Sequence, residues 1–194
     1  MAVTEERALV DAGLAVLRRS GASGLTVADV LAEAGLSTRA FYRHFASKDE
    51  LVLAVFEGDN RRTVGALREA VDAATGPRAA LEAWIDQTLA LAFDPRRARR
   101  TLTLWREGVR VRRDFPAEFD AILAGVLAPL ERVLAAGRAD GTFPRAEPAA
   151  DARSIHAVVW EMVERRLDGD TTLTLDRARA HALRFCLAAL GAKR

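Results

Sequence analysis

The stretch from Ser37 to Glu50, STRAFYRHFASKDE, sets two arginines, a tyrosine, a histidine and a lysine around two phenylalanines. Between Leu36 and Lys48 there are three cations, one histidine and no acid, although residues 1–50 as a whole hold six Lys/Arg against seven Asp/Glu. If Thr38 to Phe45 is helical, Phe41 and Phe45 lie about 40° apart on the helical wheel, and Arg39, Tyr42 and Arg43 fall roughly 100° to 200° from Phe41. One face is then an apolar anchor and the other presents two guanidiniums and a phenol. Arginine pairs bidentately with guanine O6 and N7 or with a phosphate. Tyrosine bonds a phosphate oxygen while its ring packs on sugar or a thymine methyl. Ser37 and Thr38 occupy the helix N-terminus, where free backbone N–H groups suit a phosphate. Lys48 adds a compact cation nearby. His44 falls nearer the buried edge, where it caps or packs. The competing reading is a solvated helix face that binds nothing.

The elements that position this helix follow from capping signals and periodicity. Apolar residues recur with period 3.6 along most of the chain, so an all-α fold is expected. A first helix is predicted from about Thr4 to Arg19, with Leu9, Ala12, Val16 and Leu17 on one stripe and Gly21 and Gly24 ending it. Thr26 caps Val27 to Ala34, Gly35 breaks that helix, and Ser37 caps the next. Ser47 opens a longer helix at Lys48, with Glu50 completing a capping box. Two short helices joined by a glycine turn make a helix-turn-helix, whose second helix reads the DNA major groove. Further helices are predicted from Lys48 to about Ala74, Arg78 to Ala92, from Asp94-Pro95 onward, from Pro116 to about Gly137 with a kink at Pro129, Ala149 to Leu167, and Leu175 to Leu190. The organisation expected is a DNA-binding domain over 1–48 and a helical domain over 49–194.

Composition bounds the rest. The 194 residues are 50% hydrophobic and 29% charged with a net charge of +2, ordinary for a water-soluble globular chain. No apolar run approaches the roughly 18 residues of a membrane span, and the acidic, amphipathic N-terminus is unlike a signal peptide. The single cysteine, Cys186, cannot form an internal disulfide, so a reducing cytoplasm is expected. His44, His156, His181 and Cys186 have no metal-ligand spacing, and no phosphate-cradling glycine loop or nucleophile elbow is present. Neither an enzyme nor a cofactor or metal site is therefore expected.

GLTVADVLAEAGLSTRAFYRHFASKDEL, Gly24 to Leu51, resembles the helix-turn-helix of the TetR family of bacterial transcriptional regulators. The matching features are Thr26, the turn Ala34 to Ser37, Phe41-Tyr42, His44-Phe45 and Ser47 to Leu51. They cover about a quarter of the chain; the remainder matches in architecture alone. The resemblance implies DNA-facing roles for Thr26, Ser37, Thr38, Arg39, Tyr42, His44 and Lys48, to which the helical wheel adds Arg43. Position 39, often small in the family, is arginine here. The resemblance also implies a C-terminal domain that binds a small-molecule effector and forms a homodimer suited to a palindromic double-stranded operator. Repression is the expected output, with activation the alternative. A helical interaction module and a small-molecule-binding enzyme are the rival classes.

Candidate effector-site residues are Trp84, Phe93, Trp105, Phe119 and Trp160, together with Phe115; each also suits plain core. Candidate dimer stripes are Ile155, Val158, Val159 and Met162 on one helix and Ala178, Ala182, Phe185 and Ala189 on the next, which equally suit intramolecular packing. From Arg96 to Arg113 there are eight arginines and one acid. That run is a solvated face, an anion-binding surface or an added attraction for DNA.

Overall fold

The computed structural model describes residues 4–20 and 25–192. Gly21 and Gly24, the expected stop after the first helix, lie outside the described residues. Among those residues the secondary structure is helical: α1 (Glu5–Ser20), α2 (Val27–Ala34), α3 (Thr38–His44), α4 (Lys48–Asp72), α5 (Pro77–Phe93), α6 (Pro95–Val111), α7 (Pro116–Ala139), α8 (Pro148–Leu167) and α9 (Leu175–Ala189). The all-α expectation holds, and the predicted ends lie within about two residues of the observed ones wherever a cap marks them. Proline opens α5, α6, α7 and α8, where the missing N–H has no helical partner to lose. Inside α7, Pro129 is buried and the helix runs on to Ala139.

The chain forms two compact units. The first comprises Met1–Arg61 with Arg100–Asp120, and the second Arg62–Arg99 with Ala121–Arg194. In the first, α1 packs on α2 and α3. Its core holds Leu9, Val16 and Leu17 of α1, Val30 of α2, Phe41 and Phe45, and Leu51, Val52 and Val55 of α4. Gly13 of α1 faces α4 closely: a Cβ there would stand 3.2 Å from Val55 Cγ2 and 3.3 Å from Leu51 Cδ2. Across the surface, Arg19 of α1 pairs with Glu33 of α2 at 2.9 Å.

In the second unit α5 packs on α8 and α9, which also pack on each other. Leu81, Trp84, Ile85 and Leu89 meet Ile155, Val159, Met162 and Val163 of α8 and Ala178, Ala182 and Cys186 of α9 in one buried core. Burial, as the main cause, pushes the Cys186 thiol up to about 11, which keeps it protonated and unreactive. At the edge, Arg179 of α9 donates to Asp86 at 2.7 and 3.2 Å and to Glu82 at 3.1 Å, a fork that fixes α9 against α5. Past α7 the chain folds back so that the fully buried Phe143 ring lies on Gly137; a Cβ there would come within 2.2 Å of Phe143 Cδ2.

Two glycines inside helices should therefore respond with opposite sign. Gly137→Ala forces the Phe143 ring out of its seat and should destabilise by about 1–3 kcal/mol, overpacking outweighing the better helix former. Gly65→Ala in α4 meets nothing within 4 Å and should stabilise by about 0.5–1 kcal/mol. Urea unfolding of both variants checks the pair; a Gly137→Ala protein as stable as the parent would show that Phe143 can repack.

Candidate nucleic-acid interface

The turn between α2 and α3 is built by three local devices. Thr26 caps α2: its hydroxyl accepts from the Asp29 N–H at 3.1 Å and donates to Asp29 Oδ2 at 2.6 Å. Gly35 ends α2 with φ of +64°, a left-handed conformation that favours glycine, and its N–H bonds the Leu31 carbonyl. Ser37 then caps α3, accepting from the Ala40 N–H at 3.2 Å. The Ser47 hydroxyl caps α4, accepting from the Glu50 N–H at 3.1 Å, while the Glu50 carboxylate reaches back to the Ala46 N–H at 2.7 Å. The expected capping box is present, with its return bond one residue earlier than the usual pattern.

The seven-residue helix α3 is held by its apolar side. Phe41 is 0% exposed and Phe45 6%, their ring centroids 5.8 Å apart, and Tyr42 packs edge-on against Phe41 at 5.3 Å. The opposite side is open: Tyr42 is 60% exposed, and Ser37, Thr38, Arg39 and Arg43 are exposed as well. Thr26 is exposed and Lys48 half-buried. The helical-wheel expectation for Phe41, Phe45, Arg39, Tyr42 and Arg43 thus matches the geometry. Thr26 has its hydroxyl proton committed to Asp29, whereas Ser37 accepts in its cap and retains a proton to donate.

Glu5 at the start of α1 was not anticipated. Its Oε2 lies 3.2 Å from Arg43 Nη1 and 3.2 Å from His44 Nε2, so one carboxylate oxygen ties two residues of α3 to α1. The pairing spans 38 and 39 positions of sequence, which no local pattern reveals. His44, expected near the buried edge, is exposed instead, and its ring meets Glu5. Arg43 is still 58% exposed at its side chain, so the pair is a weak surface tether that a phosphate can replace. Arg39 has no hydrogen-bond or ion-pair partner among the described residues and is the less encumbered guanidinium.

The other candidates separate between the two units. Trp84, fully buried, donates its indole N–H to the Val126 carbonyl at 3.4 Å and meets His156 edge-on at 6.3 Å. Trp160 stacks on His156 at 5.7 Å and donates to Glu164 at 2.9 Å. Burial lowers the His156 pKa and so favours the neutral imidazole. Phe93 lies under the Arg166 guanidinium at 5.7 Å. These aromatics belong to the second unit, whereas Trp105, Phe115 and Phe119 belong to the first, where Phe119 packs on Phe56 at 4.9 Å. His156 was weighed in the sequence only as a metal ligand, and Glu164 and Phe56 were not singled out, since a lone glutamate or phenylalanine on a helix carries no signature.

Of the candidate dimer stripes, Ile155, Val159, Met162, Ala178 and Ala182 are buried inside the second unit of a single chain. They are core there, because α5 covers the face they share. Val158 is half-buried, and Phe185 and Ala189 are exposed. The apolar groups that α8 and α9 leave open include Ala157, Leu175, Phe185, Ala188 and Ala189. Among the described residues, no group of three or more His, Cys, Asp or Glu could hold a metal, and no helix is long and apolar enough to cross a membrane.

Two changes on α3 and α1 test the interface. Arg39→Ala should cost about 1–3 kcal/mol of DNA affinity and relax preference at one base pair, read by binding to a set of single-base operator variants; a uniform loss would assign Arg39 to phosphate. Glu5→Gln removes the anion that Arg43 must leave to meet a phosphate and should tighten DNA binding by about 0.2–1 kcal/mol, the worth of an exposed ion pair. Unchanged affinity would mean that Arg43 meets no phosphate.

Residues 9–55 match the model of the family described as bacterial regulatory proteins, tetR family. The HTH-type transcriptional regulator CymR of Pseudomonas putida is 49% identical over 49 residues, which is 25% of this chain and 24% of that regulator's length. Solved structures align over nearly the whole chain. A TetR transcription regulator from Haloarcula marismortui shares 24% identity with a TM-score of 0.77, covering 95% of this chain and 97% of its own. The regulator FadR from Bacillus subtilis, solved in complex with stearoyl-CoA, shares 18% identity with a TM-score of 0.74, covering 94% and 97%. Residues 9–55 thus carry the domain of the bacterial regulatory proteins of the tetR family, and the chain shares its fold with solved regulators over nearly its whole length.

Proposed function

We propose that the protein is a homodimeric, ligand-responsive transcriptional repressor that reads a palindromic operator and is released from it by a small-molecule effector. The observation that carries the DNA-binding part is the division of α3: Phe41 and Phe45 are buried, while Arg39, Tyr42 and Arg43 face outward. Residues 1–48 would supply the reading head and 49–194 the effector-binding and dimerising body.

Dimerisation is supported by the apolar groups left open on α8 and α9. Phe185 is 50% exposed and Leu175 44%, large hydrophobics that a monomer gains nothing by leaving in water. A two-fold interface on these helices would place two reading heads on symmetric half-sites. Binding of a ligand is supported by analogy with the stearoyl-CoA complex of the FadR structure, which shares the fold. DNA and effector would favour different states of the protein, so each must weaken the other's binding by the same factor.

Selection of bound DNA from a random pool tests this reading. The expected product is a palindrome of two half-sites; enrichment of no sequence would refute the operator reading. Lys48→Ala should then make the salt slope on that operator shallower by about one. A slope that does not move would remove Lys48 from the contact set.

A further inference from the structure

Within the second unit, His156 of α8 is a polar group in an aromatic setting. Trp160, one turn later, stacks on its ring at 5.7 Å with the planes 7° apart, and Trp84 of α5 meets it edge-on at 6.3 Å. The polar atoms around it are already engaged. The Trp84 N–H donates to the Val126 carbonyl, the Trp160 N–H to Glu164, and the Thr88 hydroxyl to the Trp84 carbonyl. The two nitrogens of His156 make no hydrogen bond to a described residue. Nor are they sealed in, since among the described residues the buried side-chain nitrogens without a hydrogen bond are both on Arg100. His156 and Trp160 are each half-buried, so the nitrogen edge of the imidazole and part of the neighbouring indole keep accessible surface.

The chemistry of that edge selects its partner. Burial lowers the His156 pKa and favours the neutral imidazole, which carries one N–H donor and one acceptor nitrogen. A hydroxyl both donates and accepts, so it suits either nitrogen, whichever tautomer is present. A carboxylate only accepts. It would leave the acceptor nitrogen idle, bring a charge into a setting that disfavours one, and approach Glu164 two turns along the same helix. The open indole surface of Trp160 favours a flat aromatic body, which packs on a ring by offset or edge-to-face contact.

We propose that the open edge of His156 binds the hydroxyl of an uncharged phenol whose ring rests against Trp160. Trp84, fully buried and tied to Val126, seats the imidazole for that contact. A hydrocarbon of the same shape leaves the imidazole unpaired and loses the hydrogen bond. This names the chemical class of effector for the ligand-responsive reading, and it rests on that reading for its regulatory meaning.

Thermal unfolding of the full chain with 4-ethylphenol and 2-naphthol, against ethylbenzene and 2-naphthoate at matched ionic strength, tests the assignment. The phenols should raise the melting temperature with concentration, as any ligand of the native state does, and the hydrocarbon and the acid should do so less. His156→Phe keeps a flat ring and removes both nitrogens. It should weaken phenol binding about 2- to 10-fold, the range for a neutral hydrogen bond. His156→Gln, which retains a donor and an acceptor, should lose less. If His156→Phe does not fold, the ring-nitrogen NMR signals of the parent's three histidines decide the matter. Those of His156 should move on addition of 4-ethylphenol, and those of His44 and His181 should stay. Equal stabilisation by ethylbenzene or 2-naphthoate, no phenol effect at millimolar concentration, or a bound phenol that leaves the His156 signals unmoved would each overturn the proposal. Operator shift assays with the same compounds separate it from the broader reading. Phenols that bind without changing operator affinity would sink the regulatory reading alone, whereas operator release by another class of compound, with no phenol binding, would sink this assignment alone.

Discussion

Burial of the Phe41 and Phe45 rings is the constraint on which the interface depends. A helix of seven residues does not hold itself together in water, because nucleation costs more than so few backbone bonds return. Two phenylalanines on one face, each contributing about 1.5–3 kcal/mol on full burial, bind it to the rest of the unit. Once they are inside, the helical period leaves Tyr42, Arg39 and Arg43 nowhere to go but outward. The caps at Ser37 and Ser47 then set where α3 and α4 begin. The same rings that stabilise the fold therefore aim the chemistry.

Charge is distributed to match. With six Lys/Arg against seven Asp/Glu, residues 1–50 would not attract DNA as a whole. The acids are placed on other elements: Asp29 is engaged in the α2 cap, Glu33 pairs with Arg19, and Glu50 folds back on Ala46. Glu5 alone among the described acids reaches the outward cations of α3, where it ties Arg43 and His44. Such a tether orders a long side chain before it meets a phosphate, at the cost of having to be displaced. Arg39 has no such partner among the described residues, and the two arginines thus differ in their starting state.

What could be read from the sequence was local. Caps, the Gly35 turn and the wheel of α3 depend on residues within four positions of one another, and they appear in the structure as expected. Several residues of the candidate dimer stripes are buried within a single chain, because a 3.6 period shows that a face is apolar but not what covers it. In α8 and α9 the strongest stripes, through Val159 and Ala182, are taken by α5. Residues of weaker pattern, such as Ala157 and Ala188, are left outside. Pairings such as Glu5 with Arg43, Asp59 with Arg100 and Gly137 under Phe143 join positions whose neighbours carry no matching signal. They follow from how helices pack, so they become visible only in three dimensions.

The first half of α4 joins α1 to α6 and α7 within the first unit. Within the first unit, Leu51 and Val55 face Gly13 of α1 so closely that no Cβ fits there without movement. Phe56 and Asp59, within the next turn, face α7 and α6. α1 in turn packs on α3 and holds Arg43 and His44 through Glu5. The first half of α4 thus makes two sets of contacts within about two turns, one with α1 and one with α6 and α7, so whatever shifts one side of this stretch must be accommodated by close packing on the other.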